Sequence, residues 1–258
     1  MLNQTVSPGV ALVFAGGSGT RMDRKDNLPK QFIEVGDAPI LVHTLRRFQE
    51  CPAIDQIYVV VGEAWIEHVR TLAQDFSIDK VACVTAGGTT ALESIFNGLK
   101  QMVADGVPET AIVAIHDGVR PIINCRLITA SLELARREGN AITSIPAFET
   151  VALAHGDGDT VESVVDRQRA FVLQAPQTFT LADVYRLNRR AQTEETMGRF
   201  VDQANMQAYY GQTLHLLPGF RGNVKITIPD DVRYFNYLIE TGEYERIVSD
   251  HEAGAKAS

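Results

Sequence analysis

A chain of 258 residues that is 45% apolar and 22% charged can bury a sizeable core and has the composition of an ordinary globular protein. Its 24 basic against 32 acidic residues give a net charge of −8, which argues against a nucleic-acid-binding surface and requires any site for anionic substrates to gather its cations locally. No apolar run is long enough to span a bilayer, no basic-then-apolar export signal opens the chain, and the three cysteines form no metal pattern; the expectation is a cytoplasmic enzyme with buried, reduced thiols.

In chain order, the apolar run 10–14 reads as a strand and feeds directly into Ala15-Gly16-Gly17-Ser18-Gly19-Thr20-Arg21-Met22, with Pro29-Lys30-Gln31 close behind. Residues 40–48 have helical spacing, 57–61 form a continuous apolar strand, and 65–76 repeat at i, i+3 and i+4. A short strand at 81–84 precedes a helix at 91–103; a buried strand at 111–115 precedes a helix at 127–137 that Gly139 closes; 141–145 is a further strand. This alternation predicts an α/β fold with a mostly parallel sheet covered by helices on both faces, and ligands bound beyond the carboxyl ends of the strands. It breaks at 150–154 and 160–165, which flank a Gly- and Asp-rich turn at 155–159 and predict a β-hairpin. Residues 1–7 and 251–258 lack periodicity and read as unstructured.

The loop after the first strand carries the chemistry. Glycines remove the Cβ atoms that would hold a triphosphate away, the exposed N–H groups suit phosphate oxygens, and Arg21 and Lys30 add the positive charge that phosphoryl transfer needs. It is not a P-loop, because no Gly-Lys-Ser/Thr closes it. Nor is it a dinucleotide fingerprint: Met22 occupies the third glycine position, and Glu63 lies too late to hold a ribose. Asp117 follows the 111–115 strand at the ligand edge, where one carboxylate with triphosphate oxygens and water makes an adequate Mg²⁺ site. His116 beside it is expected to pack or hydrogen-bond.

The run AGGSGTRM…PKQF resembles the signature of the sugar-nucleotide pyrophosphorylases. PILVHTLRRF (39–48), AGGTTALESIFNGL (86–99), AIHDGVRP (114–121), VDRQRAFVLQAPQTF (165–179) and GNVKITIPDD (222–231) narrow the likeness to the cytidylyltransferases acting on methylerythritol phosphate or ribitol 5-phosphate. Trp65-Ile66-Glu67-His68 and the spacing after Lys30 look more like the ribitol-phosphate branch. The resemblance implies a single Rossmann-like, doubly wound nucleotidyltransferase domain over 8–247. It also implies a hairpin arm, about 148–168, that embraces a second subunit to make a homodimer.

By the same resemblance, a phosphate oxygen of the sugar alcohol attacks the α-phosphorus of CTP and pyrophosphate leaves. Arg21, Lys30 and Lys225 would stabilise the transferring phosphate; Ala15, Gly16, Gly17, Gly19, Gly88, Thr89, Ser94 and Asp117 would hold the nucleotide, with Mg²⁺ on Asp117. Arg120, Thr150 and Arg167 would hold the acceptor, with Thr150 reaching across from the partner subunit. Against the pattern of such relatives, Ala91 replaces an arginine, Ala175 a threonine, Gly222 an aspartate found in some, and Gly118-Val119 a pair of alanines. The first two losses raise the alternative of a catalytically impaired nucleotide-binding homologue.

Overall fold

The computed structural model describes residues 7–16, 28–156 and 158–249. The loop residues Gly17, Gly19 and Arg21, and the segments 1–6 and 250–258, lie outside the described residues. Strands β1 (Gly9–Phe14), β4 (Gln56–Val61), β5 (Val81–Ala86) and β6 (Ile112–Asp117) are parallel neighbours, with the short pair β2 (Glu34–Val35) and β3 (Ala38–Pro39) outside their sheet. Strands β7 (Asn140–Pro146), β10 (Phe171–Thr180) and β11 (Leu216–Pro218) complete it, and the order is β11-β7-β10-β6-β1-β4-β5. Only β10 runs antiparallel to its neighbours. The apolar run in the sequence ends the β6 strand at Ile115; the ladder carries on through His116 and Asp117, which pairs with Phe14 of β1.

Helices α1 (Ile40–Gln49), α2 (Ile66–Asp75), α3 (Ala91–Ala104) and α4 (Cys125–Glu138) fall where periodicity placed them. Because strand side chains alternate, Ala11 and Val13 face a core completed by Leu41, Leu45 and Phe48 of α1 and Ile128 of α4. Val10 and Leu12 face a second core completed by Leu99 of α3 and Val184 of α5 (Leu181–Thr193). Helix α6 (Gln203–Tyr209) joins this second layer. Near the end of the chain, α7 (Pro229–Glu240) and α8 (Glu243–Val248) close a third cluster with β2 around Phe235 and Tyr244.

The hairpin is present as β8 (Ala152–Ala154) and β9 (Val161–Val164), shorter than its sequence signal and paired only with itself. All of its strand residues are exposed, including Leu153, Val161 and Val164. The cysteine expectation is met only in part. Cys51 is buried and no disulfide is present among the described residues, but Cys83 and Cys125 keep some exposure.

Candidate active site

The site grows from the carboxyl ends of β1, β5 and β6, which three backbone hydrogen bonds draw together. Ala15 N–H donates to Val60, Gly87 N–H to Val61 and Gly118 N–H to Phe14, at 2.7, 2.8 and 2.9 Å. The glycines there allow close approach: a Cβ on Gly16 or Gly87 would stand 2.9 or 2.8 Å from Ser94 Oγ, and one on Gly88 would stand 2.4 Å from Glu93 Cβ. Ser94 Oγ accepts from Gly88 N–H at 3.0 Å and donates to the Thr90 carbonyl at 2.8 Å. Thr90 caps α3 in a reciprocal capping box, and Glu93 also receives the Thr89 N–H at 2.8 Å. Ala15, Gly16, Gly88, Thr89 and Ser94 therefore form one cradle. Gly118 belongs to the same packing, since a Cβ there would meet Ala15 Cβ at 2.9 Å.

Asp117, at the end of β6, is 7% exposed. Its Oδ1 lies 2.5 Å from Lys225 Nζ and its Oδ2 accepts from Arg120 Nε at 3.2 Å. Burial pushes the carboxyl up, but Lys225 and Arg120 outweigh that and hold it below the ordinary aspartate value, so it is ionised at neutral pH. Arg120 also donates from Nη1 to the Asn223 carbonyl at 2.6 Å, and Ile226 N–H donates to Val119 at 2.8 Å, which brings the 222–226 segment alongside. Lys30 Nζ donates to the Ile226 carbonyl at 3.2 Å, and Gln31 Nε2 to Ala15 at 2.7 Å. The Pro-Lys-Gln turn is thus tied both to the glycine cradle and to the Lys225 segment. His116 meets its structural expectation: it packs on Phe48, donates from Nε2 to the Arg120 carbonyl at 3.0 Å, and is neutral, pushed by burial to about 4.

A cavity of about 230 Å³ opens between these groups, lined by Asp117, Arg120 and Lys225 and also by Ala91, Ala175 and Val201. The two departures, Ala91 and Ala175, both line this cavity, where neither offers a polar side-chain group. Two expected acceptor residues are not brought there. Thr150 and Arg167 lie exposed, before and after the hairpin, and neither lines the cavity. The site also contains residues that no sequence motif singled out. Asp202 borders the cavity and accepts from Gln177 Nε2 at 2.8 Å, while Gln177 Oε1 accepts from Ala204 N–H. Asn223, fully buried, donates to the Ala175 carbonyl at 2.7 Å, and Gln174 Nε2 donates to the Asn223 carbonyl at 3.2 Å. Gln174, Gln177 and Asn223 sit inside the segments 165–179 and 222–231; runs of amide side chains beside a proline and a lysine were the available signal.

The family model for 2-C-methyl-D-erythritol 4-phosphate cytidylyltransferase (IspD) matches residues 10–241, a span that includes the cradle, the Asp117 cluster and the arm. The chain belongs to this family. The ribitol-5-phosphate cytidylyltransferase of Vibrio parahaemolyticus is 41% identical over 234 residues, covering 91% of this chain and 97% of its own. That of Streptococcus agalactiae is 40% identical over 241 residues, covering 92% and 98%. The 2-C-methyl-D-erythritol 4-phosphate cytidylyltransferase of Syntrophus aciditrophicus is 36% identical over 224 residues, covering 86% and 92%. The crystal structure of the 4-diphosphocytidyl-2C-methyl-D-erythritol synthase of Anaerococcus prevotii superposes with a TM-score of 0.76 at 24% identity, covering 91% and 96%; it speaks for the fold. This member of the family is a cytidylyltransferase, an enzyme that uses CTP, and no helix among its described residues is long and apolar enough to cross a membrane.

Proposed function

We propose that this cytidylyltransferase joins CTP to ribitol 5-phosphate, giving a CDP-alditol and pyrophosphate. The observation that carries the reading is the joining of Lys30, Lys225, Arg120 and Asp117 into one network at the strand edge, beside the glycine cradle. Identity to the two ribitol-phosphate enzymes, higher than to the methylerythritol-phosphate enzyme, supports the choice of acceptor.

In this reading the acceptor phosphate attacks the α-phosphorus in line. A new phosphorus–oxygen bond forms and the bond to the bridging oxygen of pyrophosphate breaks. The nucleophile is already an anion, so no general base is required, and catalysis consists of positioning and charge stabilisation. Lys225 has the most exposed side chain of the three, 42% against 11% for Arg120 and 10% for Asp117, and in this reading its ammonium turns from the carboxylate to the α-phosphate. Lys30, with Arg21 from the same loop, stabilises charge on the triphosphate. Arg120 stays locked to Asp117 and Asn223 and presents its remaining donors to the acceptor phosphate.

The residues present fit a magnesium ion. Asp117 is a hard oxygen ligand at the ligand edge, and each of its oxygens keeps a lone pair beside the cation it already faces. No cluster of three metal-ligating side chains exists among the described residues, so phosphate oxygens and water would complete the shell. Mg²⁺ bound there would neutralise triphosphate charge. We further propose a homodimer in which each arm covers its partner and carries Thr150 to the partner's acceptor site.

Pyrophosphate release from CTP with a panel of pentitol and tetritol phosphates tests the proposal. Highest kcat/KM with ribitol 5-phosphate is the expected result. Preference for the methylerythritol compound would reassign the acceptor, and no release with any acceptor would make this an impaired homologue.

A further inference from the structure

We propose that Cys51 and Cys125 are a thiol pair that a peroxide converts to an intrachain disulfide, fastening the end of α1 to the start of α4. Cys51 lies just beyond α1, and Cys125 is the first residue of α4. Their sulfurs are 2.6 Å apart, a little over half an ångström longer than the about 2.05 Å of a disulfide. Each also lies 3.6 Å from Thr129 Oγ1, and Cys51 Sγ is 3.8 Å from the Cys125 carbonyl. The two sulfurs therefore already lie side by side, as joining them requires.

The two cysteines divide the chemistry by exposure. Cys125 is partly exposed, while Cys51 is fully buried, so a small oxidant meets Cys125 first. Cys125 also stands in the first turn of a 14-residue helix, and the thiolate of a cysteine is its reactive form. Its attack on hydrogen peroxide breaks the O–O bond, giving a sulfenic acid and, after protonation, water. The Cys51 thiolate then attacks the Cys125 sulfur; the S–S bond forms, the S–O bond breaks and a second water leaves. Two thiols have lost two electrons and the peroxide has gained them. A dithiol reverses the step by exchange. Cys83 takes no part, because it packs in the core on the opposite face of the sheet from Cys51.

The cross-link would bear on the site without touching it. Residues 118–124, which run from Asp117 to Cys125, carry Arg120. The bond would close a loop between positions 74 residues apart, and loops of that length give large stabilisation. Oxidation should raise the thermal midpoint by on the order of 10 °C.

The test uses the full-length protein, reduced and then treated with one equivalent of hydrogen peroxide, without any CTP assay. The expected result is an intact mass lower by two hydrogen atoms, reversed by dithiothreitol, with a proteolytic peptide joining Cys51 to Cys125 and a raised thermal midpoint. Cys83→Ser should behave as wild type. Cys51→Ser should stop at a Cys125 sulfenic acid that dimedone traps. If all three cysteines of oxidised wild type still alkylate after unfolding, or if the linked peptide contains Cys83 or joins two chains, the proposal fails. Both of those outcomes are read on the unaltered protein and hold even if a variant does not fold.

Discussion

The ligand edge and the arm dispose their side chains in opposite ways. At the edge, Asp117 and Arg120 are each under a tenth exposed, and Asp117 pairs with both Arg120 and Lys225. On the arm, Val161 and Val164 are each 63% exposed, and the two strands bond only to each other. A valine left exposed forgoes the roughly 1.5–3 kcal/mol that full burial gives, and a lone two-stranded hairpin is marginal in water. The edge is packed and paired within the chain; the arm leaves its apolar side chains uncovered by it. Substitutions confined to one region or the other can break that division.

The largest effect should come from the ligand edge. Asp117→Ala removes the acid that separates Lys225 from Arg120, and with it the proposed metal ligand. Pyrophosphate release should fall below about 10⁻³ of wild type, comparable to losing more than one charge-stabilising group. Excess chelator should abolish turnover of the wild type, and full turnover in chelator would remove magnesium from the mechanism. Circular dichroism separates this from unfolding, since stripping one partner from a buried ion pair is itself destabilising by about 3–5 kcal/mol.

Next come the cations that flank the first loop. Lys30→Ala and Arg21→Ala should each lower kcat by on the order of 10²–10³, the loss expected when one donor to a charged transition state is removed. A folded variant with wild-type kcat would take that residue out of the catalytic set. Lys30 carries the structural argument, through its bond to the Ile226 carbonyl; Arg21 lies outside the described residues and rests on the loop sequence.

The arm should give a smaller catalytic effect and a larger change in assembly. Replacing 151–164 with a short Gly-Ser link should leave a folded monomer by light scattering, because those residues contribute nothing to the three core clusters. Acceptor KM should rise by roughly tenfold to a hundredfold if Thr150 supplies one charge-assisted hydrogen bond across the interface. A dimer that survives the deletion, or a native protein that is monomeric at micromolar concentration, would break the comparison.

The same division explains what could be read beforehand. Helices α1 to α4 and strands β1, β4, β5, β6 and β7 carry clear apolar patterns, and each sits within a few residues of its sequence signal; the short parallel strand β11 had none. Strand β10 escaped because it ends in mixed polar residues and contains Pro176, which cannot donate to a ladder; the register shifts there between Leu173 and Gln177. Its antiparallel course also breaks the βα rhythm that made the other strands legible. At the site, residues whose chemistry shows in their side chains, such as Lys30 and Asp117, were legible. Asn223 and Gln174 were not, because they act by tying one backbone segment to another, and such ties appear only when distant segments meet. Nor could the sequence bring Ala91 and Ala175 to one cavity, since 84 positions separate them along the chain.

The smallest effect sharpens the comparison from the buried side. His43 of α1 is 3% exposed, donates from Nε2 to the Val35 carbonyl at 2.7 Å, and packs edge-on against Phe235 and Tyr244. Burial lowers its pKa below the ordinary 6.5, and although the Val35 bond and Asp37 pull upward, the net shift is down. Above pH 6.5 the ring is neutral both folded and unfolded, so its contribution to stability is complete. As pH falls below 6.5 the unfolded chain takes up a proton that the folded chain refuses. Stability should then fall, by up to about 1.4 kcal/mol per pH unit for one such group, until the folded value is passed. His116, pushed to about 4, acts in the same direction. Urea midpoints measured from pH 7 to pH 5 should therefore decline, and His43→Gln, which keeps a donor for Val35, should flatten that decline without abolishing it. An unchanged slope in the variant would mean that His43 titrates alike in both states and that this part of the core is open to water.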